Sequence, residues 1–306
     1  MKRFITFIVA AFAALSLSAT GISAADPAQN ETKEYNFSNF SELEVSFSYH
    51  VELTKSSRYG VTVECPDFMT PYLRVELRGN RLILSCYDLP RDVRRRLDNG
   101  RFKVRASVSM PELNVLRMSG ASNLEANGEE FSSRKPFHVD LSGASVASGL
   151  AVRTREAGIG CSGASKLFLR GYFDKVNVGL SGSSNCELDI DAKEAKVGLS
   201  GASKLIQRGD VTNLELVASG AANFIQVGQL STLYCEASGA AKISMSDAPA
   251  ATAKVRLSGA SNATVDVRNE ISIMLSGASS LRYRANDRLR IVDQTVSRAS
   301  SISSYK

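Results

Sequence analysis

The chain has 306 residues, with 37 Lys and Arg against 31 Asp and Glu, and a formal net charge of +6. Two of those charges, Lys2 and Arg3, belong to an N-terminal export signal, and the +4 left after its removal is too mild to imply a nucleic-acid partner. Trp is absent and aromatics are 7%, so small aliphatic residues must fill whatever core the chain builds.

Residues 1–24 read as a secretory signal peptide. Lys2 and Arg3 give a positive start, residues 4–20 are mainly apolar, and Ile22-Ser23-Ala24 or Ser23-Ala24-Ala25 offers a cleavage site. The apolar run is short of the ~20 residues that a membrane span needs. The first cysteine is Cys65, so no lipid-bearing cysteine is available at the cleavage site. With no second long apolar run, no transmembrane segment is expected after signal cleavage. The expected location is the periplasm or the cell surface.

Residues 25–33 are polar and are expected to be a disordered linker. Residues 34–110 alternate apolar and polar positions, as in Leu43-Val45-Phe47, Val61-Val63-Cys65, Leu73-Val75-Leu77 and Leu82-Leu84-Cys86. This is the period of a strand, and Arg78-Gly79-Asn80 marks a turn. The region predicts irregular β coils, or a small β-cap, covering the first regular coil. Residues 90–101 carry Arg91, Arg94, Arg95, Arg96 and Arg101 and predict a solvated loop or single helical turn. No aromatic residue is interleaved with the arginines, which argues against nucleic acid.

Residues 111–306 are organised by one phrase, Ser-Gly-Ala-Ser. It begins at Ser119 and returns at Ser142, Ser162, Ser181, Ser200, Ser219, Ser238, Ser258 and Ser276, in steps of 23, 20, 19, 19, 19, 19, 20 and 18 residues. A damaged copy begins at Ser297, with Arg298 in the glycine place. Apolar residues usually stand one and three places before each serine (Leu141 and Val139, Leu180 and Val178) and five places after it (Leu167, Cys186, Leu205). That is strand periodicity repeated once per unit, which predicts an all-β fold: a parallel β-helix or β-solenoid with about 19 residues per coil.

Each letter of the phrase has a physical role. Gly120, Gly143, Gly163, Gly182, Gly201, Gly220, Gly239, Gly259 and Gly277 suit a sharp bend between two strands. The serines can bond backbone, or a serine one coil away. The place after the phrase is mostly polar, and Asn123, Lys166, Asn185, Lys204, Asn223, Lys242 and Asn262 should line one outer face as a candidate binding face.

No catalytic constellation stands out. Residues 158–163 match G-x-G-x-x-G by letter, but they straddle a strand and a bend where a dinucleotide site needs a helix N-terminus. His50 and His138 each have a carboxylate two places on, Glu52 and Asp140, and predict surface ion pairs. No catalytic, cofactor-binding or metal residue is assigned, and no cofactor is expected. Asp189, Asp191, Asp210, Asp247 and Asp266 fall at several phases of the repeat, and folding could bring a hydrolytic pair together. Of the five cysteines, Cys161, Cys186 and Cys235 stand in apolar places and predict buried thiols, while Cys65 and Cys86 are a candidate disulfide.

An N-terminal signal, leading strands and then a repeated Leu-Ser-Gly-Ala-Ser, complete at residues 141–145, 199–203, 257–261 and 275–279, resemble the auto-transporter adhesin head GIN domain family, found chiefly in Bacteroidetes. The likeness covers residues 36–290. It implies an exported β-solenoid and supplies no catalytic residues to carry over. The expectation is a non-enzymatic, adhesin-like or scaffolding protein that binds a glycan or another cell-envelope component. The alternative is a carbohydrate-active enzyme, a polysaccharide lyase or hydrolase, on the same scaffold.

Overall fold

The computed structural model describes residues 29–98 and 103–306. The signal peptide expected at residues 1–24 lies outside them. The described strands form one hydrogen-bonded network, a β-solenoid.

The regular coils follow from the repeat. Each has an entry strand leading into the Ser-Gly-Ala-Ser corner and an exit strand leaving it, and equivalent strands of successive coils pair in parallel and in register. Residues one and three places before each serine, and five after it, point inward and are buried, as with Val178, Leu180 and Cys186. At each of the nine Ser-Gly corners the glycine adopts φ between +66° and +71°. The corners stack so closely that a Cβ on Gly182 would lie 2.7 Å from the Gly163 carbonyl oxygen, and the same contact recurs up to Gly277. No other residue type satisfies both the angle and the approach. The N–H after each glycine donates to the glycine carbonyl below, at 2.7–2.8 Å from Ala144 to Ala278.

The second serine of the phrase turns inward and is buried. Ser184 Oγ donates to the Ser181 carbonyl at 2.8 Å and approaches the Cys161 carbonyl at 3.3 Å. Of the two partners expected for these serines, backbone predominates, because a buried hydroxyl beside an open corner meets carbonyls first, and Ser279 also reaches a serine one coil away, Ser300 Oγ, at 3.5 Å. The coil that begins at Ser142 holds its extra residue in a bulge at Ser148-Gly149 on the exit strand, away from the corner.

The N-terminal region is threaded out of sequence order. It comprises β1 (Asn30–Glu34), β2 (Glu42–Val45), β3 (Tyr49–Lys55), β4 (Gly60–Pro66), β5 (Leu73–Arg78), β6 (Arg81–Cys86), α1 (Arg91–Asp98) and β7 (Val104–Met110). The first regular coil, β8 (Val115–Met118) and β9 (Asn123–Ala126), pairs with β2 and β3. Those two in turn pair with β6 and β7 on their other side. The chain therefore lays down an inner coil, then an outer one, then returns to the inner coil to begin the repeats.

Residues 30–33 differ from the expected linker: β1 lies along β4 in antiparallel pairing from Asn30–Pro66 to Glu34–Thr62. Its side chains are all exposed, so backbone pairing to an open strand edge holds it, and composition gives no sign of that. The arginine-rich stretch forms a helix longer than the single turn expected. Its own Val93 is buried, and the Arg96 guanidinium lies 3.9 Å over the Phe68 ring.

Candidate binding site

The corner and its neighbours set out two outer faces. On the exit face the place after the phrase forms an unbroken column. His50 pairs in register with Asn123, Asn123 with Val146, Val146 with Lys166, and so on through Asn185, Lys204, Asn223, Lys242 and Asn262 to Ser280. Lys166, Lys242 and Asn262 are exposed, and the others are partly covered. Asn262 Nδ2 donates to the Ala260 carbonyl at 3.1 Å, so one of these amides braces its own corner. The column hugs the corner and has no depth of its own.

The entry face has depth. Gly160, Gly179 and Gly198 each stand two places before a corner serine, and the register stacks them in consecutive coils, with Gly158 beside them. Together they leave an outward floor bare of side chains. The trough above it holds about 510 Å³, with His138 and Asp140 at one end and Lys196, Glu215 and Val217 at the other. The two ends of the floor differ in why glycine is there. A Cβ on Gly158 would meet His138 Nδ1 at 2.7 Å, and one on Gly160 would meet Asp140 Oδ1 at 2.7 Å, so these glycines make room for the His138 and Asp140 side chains. At Gly179 a Cβ would have nothing within 4 Å, and at Gly198 only the Val178 carbonyl at 3.9 Å. Neither has a φ in the left-handed region. Glycine in a strand interior costs roughly 0.5–1 kcal/mol relative to alanine, and the fold draws no benefit from it at these two positions.

The rim is polar and of mixed sign. Lys196 Nζ pairs with Glu215 at 3.0 Å across one coil step. Val217 is 46% exposed. A second depression shares Lys196 and Glu215 with the trough and extends the concave surface to Thr232 and Tyr234. Acidic, basic and amide groups around a flat floor can accept and donate hydrogen bonds to a neutral polar ligand, and the balance of charge gives no preference for a polyanion.

The aspartates considered for hydrolysis sit elsewhere and have structural partners. Asp191 accepts the Asp210 N–H and Asp210 accepts the Gln229 N–H, both at 2.8 Å, bracing successive outer bends. Asp189 and Glu187 share Arg208 at 3.4 Å. Asp266 is buried, with Arg284 at 3.1 Å and Arg268 at 3.5 Å. Asp247 gives its backbone carbonyl to the Gly228 N–H. Among the described residues, no group of three His, Cys, Asp or Glu is placed to hold a metal ion.

His50 faces Lys103 and Arg105 instead of pairing with Glu52, and its pKa falls below the ordinary imidazole value, chiefly by burial and then by these two cations. His138 leans over Gly158 at the end of the trough. Residues 158–163, the dinucleotide look-alike, prove to be entry strand and corner. All five cysteines, Cys65 and Cys86 included, are unbridged in this structure, and Cys65 contacts Thr70 Oγ1 at 3.6 Å.

A family model described as "Putative auto-transporter adhesin, head GIN domain" matches residues 39–206 and 185–286. The chain belongs to this family. Solved structures with a similar fold to this GIN-domain chain include a "putative adhesin" from Parabacteroides merdae ATCC 43184, 13% identical over 91% of this chain and 97% of that one, with a TM-score of 0.51. Another, from Parabacteroides distasonis ATCC 8503, is 14% identical over 90% and 97%, with a TM-score of 0.50. A "putative lipid binding protein" from the latter organism is 16% identical over 90% and 97%, with a TM-score of 0.44. At these identities the likeness to the two putative adhesins shows the fold alone. No curated protein matches the chain.

The trough goes unseen when only the Asn/Lys column is followed along the sequence, although its signal is there. The place two before each serine reads Arg117, Asp140, Gly160, Gly179, Gly198, Val217, Glu236, Arg256 and Met274, and a run of three glycines in that column is as legible as the Asn/Lys column.

Proposed function

We propose that this GIN-domain chain is an exported, non-enzymatic binding protein of the adhesin type, held in the periplasm or at the cell surface, and that it contacts a glycan or other neutral, hydroxyl-rich envelope component in the entry-face trough. The observation that carries the reading is the bare floor at Gly179 and Gly198. Glycine there weakens a strand and relieves no clash, so its use is to let a ligand lie directly on the backbone. Successive floor positions are one coil apart, ~4.8 Å, a rise comparable to that of one sugar ring in an extended chain. Asp140, Asn177, Lys196 and Glu215 supply acceptors and donors along that line. The Asn/Lys column of the exit face is a secondary surface on this reading.

The test is a glycan array together with cell-envelope fractions, probed with the wild-type chain and with Gly179→Phe, whose ring would fill the trough from an unstrained, open position. Retention of the wild type and its loss in the variant, with unchanged circular dichroism, is the expected result. A wild type that binds no glycan and no envelope fraction sinks the binding role. Binding that survives Gly179→Phe moves the contact surface off the trough.

A further inference from the structure

Beneath the trough floor two thiols touch. Cys161 ends one entry strand, directly after Gly160, and Cys186 lies on the exit strand of the next coil. Both are buried, and Cys186 Sγ points at Cys161 Sγ at 3.3 Å. The Ser184 hydroxyl reaches the Cys161 carbonyl at 3.3 Å, so the corner that carries Cys186 is already docked on the strand that carries Cys161. In the other regular coils these inward places hold apolar residues without a thiol, such as Leu180, Leu205 and Phe224. A matched pair of thiols in contact is the one departure in this part of the stack.

We propose that Cys161 and Cys186 form a disulfide that staples two adjacent coils directly under the glycine floor. Two features of the site favour the link. The first rests on the exported location proposed above: disulfides persist in compartments outside the cytosol. The stapled coils are also those weakened by Gly158, Gly160 and Gly179 in strand interiors, where a covalent tie between coils offsets the lost strand preference. The chemistry is thiol–disulfide exchange with a small-molecule or protein disulfide. One cysteine thiolate attacks the oxidant's disulfide and displaces one of its sulfurs as a thiol. The second cysteine then attacks the protein sulfur of the mixed disulfide and releases the other. Two protein thiols are oxidised, one external disulfide is reduced to two thiols, and each departing cysteine proton is taken up by a released thiolate. The Cys161 hydrogen bond, and then burial, raise the Cys186 thiol pKa in the closed stack, so exchange runs while the coils are still open.

The experiment uses the full chain refolded from denaturant in a mixture of reduced and oxidised glutathione. It is then denatured again without reductant, alkylated and digested with trypsin. The expected result is three alkylated cysteines instead of five, with peptide 156–166 joined to peptide 176–193 and two hydrogens lost. The joined species should disappear in Cys161→Ala, leaving Cys186 alkylated. A second readout is thermal: reductant should lower the Tm of the oxidised wild type and leave Cys161→Ala/Cys186→Ala unmoved. Five alkylated cysteines, or a link that joins Cys65 to Cys86 instead, overturns the proposal.

Discussion

Two glycines three residues apart should respond to the same substitution with opposite signs. Gly182 is a corner, with φ +67°, and an added Cβ would stand 2.7 Å from the Gly163 carbonyl oxygen and 2.9 Å from its nitrogen. Alanine there carries about 1–2 kcal/mol of left-handed strain. The clash also pushes the corners apart where the Ser183 N–H donates to Gly163 at 2.7 Å, a bond worth about 1 kcal/mol net. Gly182→Ala should therefore destabilise by about 2–3 kcal/mol. Gly179 has no positive φ and open space where the methyl would go. Gly179→Ala should stabilise by about 0.5–1 kcal/mol, through a less entropic unfolded chain. Thermal unfolding followed by circular dichroism reads both, at roughly 2–4 °C per kcal/mol. Hydrogen exchange adds a local readout, since a loosened corner should open between its two coils before the whole stack melts. A neutral Gly182→Ala, or a Gly179→Ala as damaging as its neighbour, would refute the assignment of one glycine to the fold and the other to the surface.

Three further outcomes rest on single side chains. Gln207 is fully buried in a column that holds Leu169 and Leu188 in the coils below, and neither its Oε1 nor its Nε2 has a hydrogen-bond partner. Gln207→Leu should raise stability by about 1–2 kcal/mol, read as a higher urea midpoint; a lower one would mean the amide is satisfied. The buried corner serines should separate by partner: Ser184→Ala should cost about 1 kcal/mol by removing a hydroxyl that bonds two carbonyls, while Ser203→Ala should be near neutral because Ser203 Oγ bonds nothing. Equal melting shifts in the two variants would contradict this. His50 has a folded pKa lowered below its unfolded value near 6.5, so the neutral form is the one that the fold prefers. Its contribution is present above that value and is lost as the pH falls through the folded pKa. Tm should drop on acidification below about pH 6.5, and less steeply in His50→Gln; parallel profiles would exclude His50 as the titrating group.

Within the repeats the sequence was close to sufficient. One residue choice repeated at a fixed step becomes a column once the coils stack, so Gly182, Val178 and Cys186 each declared a place by their distance from Ser181. The same arithmetic failed in the N-terminal region. There the inner coil has a corner of its own, Ser46-Phe47-Ser48-Tyr49, in which Phe47 takes the positive φ of 74° and Tyr49 takes the buried serine's place, sending its hydroxyl to the Ser85 carbonyl at 3.2 Å. Val45 before it and Val51 after it keep the apolar phase, but with the glycine gone the phrase cannot be seen by letter.

Local periodicity therefore determined the strand type, the length of a coil and which residues face inward, because those depend only on neighbours along the chain. Three things waited for the fold: the outer position of β6 and β7, the docking of β1 on β4, and the contact of Cys161 with Cys186. Each joins residues far apart in sequence across a sheet edge or a core. Such pairs are chosen by which backbone edge stands open and which side chains the finished stack brings together, and neither quantity exists until the coils have closed.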